Sequence, residues 1–380
     1  MIEIILFISM LLVFYVYVGY PLAAALLGHV MNRPVRKGIC EPMVTIVIAA
    51  YNEEESIGAT IENKLALEYP REKLEIQVIS DGSTDGTDAI VGRFEVQGVR
   101  LLRQGPRAGK TSALNLAIPQ ARGEIIVFSD ANSIYAPDAL RKLVSNFSDP
   151  EVGYVTGKMI YANPDGTTIG DGCSAYMKYE NWLRETETRL GSVVGVDGGI
   201  DAMRREIYQS MNPDQLPDFV QPLKVVEQGY RVVYEPEALL WESSLKEAGD
   251  EYRMRVRVSL RAFWALFDMR TLLLPWPNSI FAWQLWSHKI LRYLCFVFLI
   301  LAYTSNILLL GDGFMYLILF ALQSACYTVA FTAPVLERIG MGSRVITFAR
   351  YFLLLNIAAA HAFGKFILGK KQVLWTPRKG

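Results

Sequence analysis

Three polar clusters stand where runs of strand-forming residues end: Tyr51-Asn52-Glu53, Asp81-Gly82-Ser83 and Ser129-Asp130-Ala131-Asn132. Carboxylates and amides at such positions can accept or donate hydrogen bonds to a ligand, or move its protons. A single acid beside a strand end is more often a helix cap, and Asp85 and Asp88, close to a helix start, read that way. Three clusters converging on one edge point instead to a site.

The elements that must position them alternate. Met43–Ala49 is a continuous β-branched run, as in a strand buried on both faces. A helical pattern follows from Glu53, then a strand at Glu75–Ser80, a helix at Thr84–Phe94 and a strand at Val99–Arg103. A helix over Lys110–Ile118 is stopped by Pro119, and Gly123–Phe128 is the fourth strand. This alternation predicts βαβ units and a mostly parallel sheet, whose ligands bind beyond the carboxyl ends of the strands. Neither G-x-G-x-x-G nor a P-loop follows the first strand, so an unrelated nucleotide-binding α/β domain is discounted.

The 380 residues carry 38 basic and 38 acidic side chains, a balance that argues against nucleic acid as a partner. Cys40, Cys173, Cys295 and Cys326 form no C-x-x-C pair, and three histidines exclude a His-rich metal site. The mean hydropathy of +0.22 is concentrated at the two ends of the chain. Residues 1–31 read as a transmembrane anchor, since Ile2–Val30 exceeds the ~20 apolar residues needed to cross a bilayer. Glu3 and the absence of early Lys or Arg speak against a signal peptide. Arg33, Arg36 and Lys37 then place the following domain, residues 32–270, in the cytosol. Residues 271–290 carry Trp283, Trp286, His288 and Lys289 and suit an interfacial helix. Residues 291–369 hold spans at Leu291–Leu310 and Phe314–Leu336. A last apolar run, Val345–Leu368, either spans or lies half-inserted, because Arg350, His361 and Lys365 share one helical face. Residues 370–380 form a basic tail with Lys370, Lys371, Arg378 and Lys379.

Six segments in order resemble family 2 of the glycosyltransferases, in the membrane-embedded branch of the cellulose, chitin and hyaluronan synthases. They are V-T-I-V-I-A-A-Y-N-E-E-E-S-I (Val44–Ile57), V-I-S-D-G-S-T-D-G-T (Val78–Thr87), G-K-T-S-A-L-N (Gly109–Asn115), F-S-D-A-N-S (Phe128–Ser133), V-D-G-G-I-D-A-M-R-R-E-I-Y (Val196–Tyr208) and the block Leu216–Pro236. The resemblance implies an α/β GT-A domain with a mostly parallel sheet, flanked by transmembrane helices. It also implies a nucleotide-diphospho-sugar donor, contacted by Tyr51, Glu53, Asp81, Lys110 and Asp130. Asp130 and Asn132 stand at the family's D-x-D and would hold Mg2+ or Mn2+, with Asn132 contributing oxygen but no charge. Asp197, Gly198 and Gly199 fall in the acceptor-side segment.

By the same resemblance Asp218 is the general base, because an attacking hydroxyl must lose its proton to a positioned group. Pro217 stands where relatives carry a further acid, and an N-cap of the next helix is the competing role for Asp218. In Tyr252–Arg261, Arg257 matches the arginine of Q-x-x-R-W, while Met254 and Val258 replace its Gln and Trp. The missing Trp speaks against processive chain growth. Arg253, Arg255 and Arg261 read as contacts to anionic lipid headgroups. The expected protein is a multi-pass, inverting hexosyltransferase of the cell membrane, acting on a polysaccharide or lipid-linked acceptor. A homo-oligomer or secretion partner could supply further helices. A catalytically silent scaffolding subunit is the alternative.

Overall fold

The structure is a computed structural model that describes residues 1–162, 168–243, 248–338 and 343–374. Arg378 and Lys379 of the basic tail lie outside the described residues. The strands are β1 (Val44–Ala50), β2 (Leu74–Asp81), β3 (Val99–Gln104), β4 (Ile125–Asp130), β5 (Ile134–Tyr135), β6 (Val152–Ala162), β7 (Ile200–Arg204) and β8 (Arg231–Ser243). Among the described residues they form one sheet in the order β3-β2-β1-β4-β7-β6-β8-β5. The first four run parallel, while β7 lies antiparallel between β4 and β6. Every residue of β1 and β2 is buried; the β-branched run of β1 suits a sheet covered on both faces, and in β2 the buried Glu75 accepts from Thr45 at 2.7 Å.

The helices are α1 (Ile2–Met31), α2 (Ile57–Leu65), α3 (Thr87–Gly92), α4 (Lys110–Ala117), α5 (Ala139–Ser145), α6 (Thr168–Leu190), α7 (Pro217–Glu227), α8 (Ala248–Asp268), α9 (Ser279–Tyr293), α10 (Cys295–Leu308), α11 (Phe314–Arg338) and α12 (Arg344–Ile367). One core layer packs residues of α2 and α5 on the sheet, and the other packs residues of α4, α7 and α8 on its opposite face.

The helical pattern expected from Glu53 begins four residues later, at Ile57. Asn52 adopts a left-handed φ of 53°, which an Asx side chain tolerates. Residues 52–54 are instead stitched to the loop after β2. The Asn52 amide donates to Ser83 Oγ at 3.1 Å, and the Glu53 amide donates to Thr87 Oγ1 at 2.8 Å. Asp85 does act near a helix start, accepting from the Thr87 amide at 3.0 Å. Asp88 instead pairs with Arg103.

Among the described residues, three helices are long and apolar enough to cross a membrane: Ile2–Met31, Phe314–Leu336 and Val345–Ile367. In the most apolar windows of the first two, only 17% and 11% is buried, so most of their apolar surface is exposed. The pair α9 and α10 passes the same test together but bends by 57° at Leu294. The bend separates α9 from the apolar α10.

Not all of α1 is exposed. Ala24 and Gly28 are buried against α6, and a Cβ on Gly28 would lie 3.1 Å from the Thr186 carbonyl oxygen. Tyr20 donates to Glu187 Oε1 at 2.5 Å. The linker after α1 is tied down by its basic cluster, with Arg33 to Glu151 at 2.9 Å and Lys37 to Glu235 at 2.6 Å. The chain after α12 returns to the domain. Trp264 Nε1 donates to the Lys370 carbonyl at 2.9 Å, and Lys371 pairs with Asp214 at 2.5 Å.

Candidate active site

At the carboxyl edge of the sheet a cavity of about 270 Å³ brings together Glu53, Lys110, Asp130, Asn132, Asp197, Asp218 and Arg257. Its centre is a charged triad. Lys110, the first residue of α4, places Nζ 2.8 Å from Asp130 Oδ1 and 3.3 Å from Asp218 Oδ1. Asp130 is delivered by the last residue of β4, and Asp218 by the first turn of α7.

Pro217 opens α7, a position where its fixed φ and missing N–H cost nothing. Asp218 does not cap this helix. Leu216 occupies the N-cap with no side-chain bond, and the Asp218 carboxylate turns to Lys110. Burial, and then the charge of Asp130, raise the Asp218 pKa against the pull of Lys110, which makes it a better proton acceptor once ionised. Burial alone would lower the lysine, but the two carboxylates hold it above the usual range. Glu53 is raised too, first by burial and then by the negative charges of Asp130, Asp85 and Glu242.

Gly198 makes room for Asp218. Its φ is +83°, and a Cβ there would fall 2.6 Å from Asp218 Cγ. Gly199 lies behind it, with its carbonyl accepting from Tyr135 at 2.8 Å. Asp197 lines the cavity but is clamped by Arg184, at 2.6 Å and 2.8 Å to its two oxygens. That bidentate pair fixes the loop 195–198.

Tyr51 and Asp81 are not in this cavity. Asp81 is fully buried in the loop before α4, accepting from the amides of Ala108 at 2.8 Å and Gly109 at 3.0 Å and from Gln104 at 2.5 Å. Arg107 lies 3.7 Å from Asp81 Oδ2 and stacks over the Tyr51 ring at 3.4 Å. Gly109, at φ +98°, gives this loop its close approach.

The basic helix is not a row of headgroup contacts. Arg261 is buried, lines the cavity and donates to the Gln215 carbonyl, so its reading as a lipid contact is corrected. Burial first, and then Arg257, bring its pKa down to about 10. Arg255 pairs with Glu251 at 2.7 Å and donates to Tyr351 of α12 at 2.6 Å.

A divalent cation would need oxygen donors. Among the described residues no three His, Cys, Asp or Glu side chains gather into a site by themselves. Asp130, Asn132 and Glu242 nevertheless present oxygen on one wall of the cavity, with Asn132 Nδ2 3.5 Å from Glu242 Oε1. The set fits a Mg2+- or Mn2+-type ion that completes its shell with phosphate and water.

Sequence reading missed Glu242, Lys289 and Tyr293, which also line the cavity. It missed Arg184 as well. Helix periodicity gives no signal for such contacts, although Lys289 in an otherwise apolar segment is a recognisable anomaly.

Behind the triad, Asp201 accepts from Tyr154 at 2.8 Å and from the Gly198 amide at 3.1 Å. Burial, then the charges of Asp218 and Asp197, push it up to about 7, with bonds from Thr156 and Tyr154 opposing. Its folded pKa is therefore above its unfolded value. Between about pH 4 and 7 the folded state holds a proton that the unfolded chain has lost, so stability falls as pH rises through this window. Each pH unit is worth up to about 1.4 kcal/mol. Thermal melting in detergent is expected to show this decline, and Asp201→Asn to flatten it. An unchanged slope in the variant would contradict the assignment.

The family model for "Glycosyl transferase family 2" matches residues 45–211. A poly-beta-1,6-N-acetyl-D-glucosamine synthase of Staphylococcus aureus is 29% identical over 269 residues, covering 66% of this chain and 64% of its own. The chain thus spans slightly under two thirds of that relative's length. A beta-monoglucosyldiacylglycerol synthase of Nostoc is 34% identical over 173 residues, 44% of this chain and 37% of its own. A mannosyltransferase of Pyrobaculum calidifontis, solved with GDP-Man and Mn2+, superposes with a TM-score of 0.75 at 23% identity, covering 97% of this chain and 100% of that one. Motif order, strand-end acids and fold agree, and residues 45–211 match the family 2 glycosyl transferase model within a GT-A fold.

Proposed function

We propose that the chain is a membrane-bound inverting glycosyltransferase that moves a hexosyl unit from a nucleotide-diphospho-sugar to a polysaccharide or lipid-linked acceptor. The observation that carries this reading is the Asp130–Lys110–Asp218 triad in a cavity at the carboxyl edge of the sheet. Tyr51 takes the nucleoside beside the 104–109 loop that the buried Asp81 holds, and Lys110 and Arg257 take the pyrophosphate. The acceptor hydroxyl attacks the anomeric carbon, the bond to the pyrophosphate oxygen breaks, and Asp218 receives the hydroxyl proton. Asp130, with Asn132 beside it, would hold a divalent cation, whose charge would offset that developing on the leaving diphosphate. The relatives from S. aureus and Nostoc are named for a glycan and a glycolipid product, so both acceptor classes are kept.

The basic cluster after α1 favours a cytosolic catalytic domain. The tail residues Lys370 and Lys371, lying against the domain, support the same side for the chain after α12. The silent-subunit alternative is not favoured, because Asp81, Asp130 and Asp218 are all present.

Purified protein in lipid, offered UDP-, GDP- and dTDP-sugars with Mn2+ or Mg2+, is expected to release nucleoside diphosphate from one donor class and to need the cation. No release from any donor would overturn the reading.

A further inference from the structure

The cavity has a wall supplied from the membrane side. Helix α9 is fixed to α6 by its flanking residues. His288 Nδ1 lies 2.7 Å from Glu187 and Nε2 lies 3.2 Å from Glu180, while Arg292 is 2.6 Å from Glu180. Lys289, between them, is left out of this network. It makes no hydrogen bond or ion pair with another described residue and stands 5.7 Å from the Phe219 ring centroid, next to Asp218. A Cβ on Gly195 would lie 2.5 Å from its Nζ, so the amine rests on the loop that Arg184 holds. An amine brought to a substrate cavity by clamped neighbours is suited to an anion.

The face carrying Lys289 and Tyr293 continues past the bend at Leu294. Phe296, Leu299 and Ile300 of α10 line a second cavity of about 250 Å³, closed by Tyr327 of α11 and by Ile357 and Ala360 of α12. It is almost wholly apolar and opens between helices with lipid-facing surfaces. The rings of Tyr293, Phe263, Phe363 and Phe296 link the two cavities, with successive centroids 5.5, 5.4 and 5.7 Å apart. From Phe296 to Thr304 the groove follows about 12 Å of helix.

Resting on the transferase reading above, we infer that the acceptor is an anionic lipid, a hydroxyl-bearing head group joined through phosphate to an apolar chain. The hydroxyl meets Asp218, the phosphate meets Lys289, and the chain lies in the groove between α10, α11 and α12. In the transfer the head-group oxygen bonds to the anomeric carbon, the nucleoside diphosphate leaves with the bonding pair, and the proton goes to Asp218. The phosphate of the acceptor is unchanged. A phosphoinositide-type lipid and a polyprenyl-diphosphate-linked sugar share this chemistry.

The test uses the full chain in neutral-lipid nanodiscs with its donor. Acceptors are phosphatidylinositol, a polyprenyl-diphosphate sugar, diacylglycerol, a free oligosaccharide, and a short-chain soluble analogue of each phosphate lipid. One phosphate lipid is expected to accept sugar, and which one does so identifies the source. Its short-chain analogue is expected to show a higher KM. Lys289→Met is expected to raise the acceptor KM roughly 10- to 100-fold, as for loss of a charge-assisted hydrogen bond, with the donor KM unchanged and Lys289→Arg restoring much of it. Ala360→Trp, filling the groove, is expected to slow transfer to the long-chain lipid only. Equal use of diacylglycerol or oligosaccharide, or a Lys289→Met variant that changes only the donor KM, would overturn the inference while leaving the transferase reading intact. Failure to release nucleotide from any donor would overturn both.

Discussion

Replacing Asp218 by Asn is expected to slow sugar transfer by roughly 10²- to 10⁴-fold, the range for removing a positioned general base. Donor binding should change little. Lys110 keeps its shorter contact, 2.8 Å to Asp130, when the 3.3 Å contact to Asp218 is weakened. Asn preserves the shape that Gly198 accommodates, so the fold around the cavity should persist. The loss belongs to the protonation step, because an amide cannot take the hydroxyl proton. Steady-state kinetics check this, with kcat falling and donor KM staying within a few-fold. A variant with near-normal kcat would remove Asp218 from its role.

Replacing Asp130 by Ala is expected to have the second largest effect, roughly 10²- to 10³-fold in kcat, comparable to losing a group that stabilises transition-state charge. Asn132 supplies no charge, so Asp130 is the only carboxylate of its D-x-N segment. Its loss also removes one of the two acids that hold Lys110. Asp130→Asn should be milder and should move the Mn2+ concentration for half-maximal activity upward by at least about tenfold. A cation titration of donor turnover measures this shift. An unchanged midpoint would place the cation elsewhere.

These two acids were legible in the sequence for different reasons. Asp130 ends a run of Ile, Val and Phe that can only be a buried strand, so its place at the sheet edge follows from local pattern. Asp218 follows only from resemblance, because Pro217-Asp218 at a helix start looks locally like a cap. What displaces capping is the lysine delivered from a helix 108 residues earlier. Asp81 was legible as a strand-end acid, but its burial among the amides of the 104–109 loop was not. The start of α2 was misplaced because loop-to-loop hydrogen bonds at Asn52 and Glu53 outcompete a first helical turn.

The remaining contacts lay beyond sequence reading because they join distant segments across the domain–membrane boundary. A basic helix such as Tyr252–Arg261 declares amphipathicity without saying which face meets lipid, so Arg261 was assigned outward although it is buried at the cavity. The apolar run of α1 likewise cannot announce that Ala24 and Gly28 face protein, since hydropathy does not distinguish lipid from an apolar helix surface. Lys289 reaches the cavity only because His288 and Arg292 find Glu187 and Glu180 more than 100 residues away.

Single displacement with Asp218 as base has one direct consequence, inversion at the anomeric carbon. The proton NMR spectrum of the first product from an α-linked nucleotide sugar measures it through the coupling of the anomeric proton. A β-linked product is the expected result. An α-linked product would contradict the mechanism.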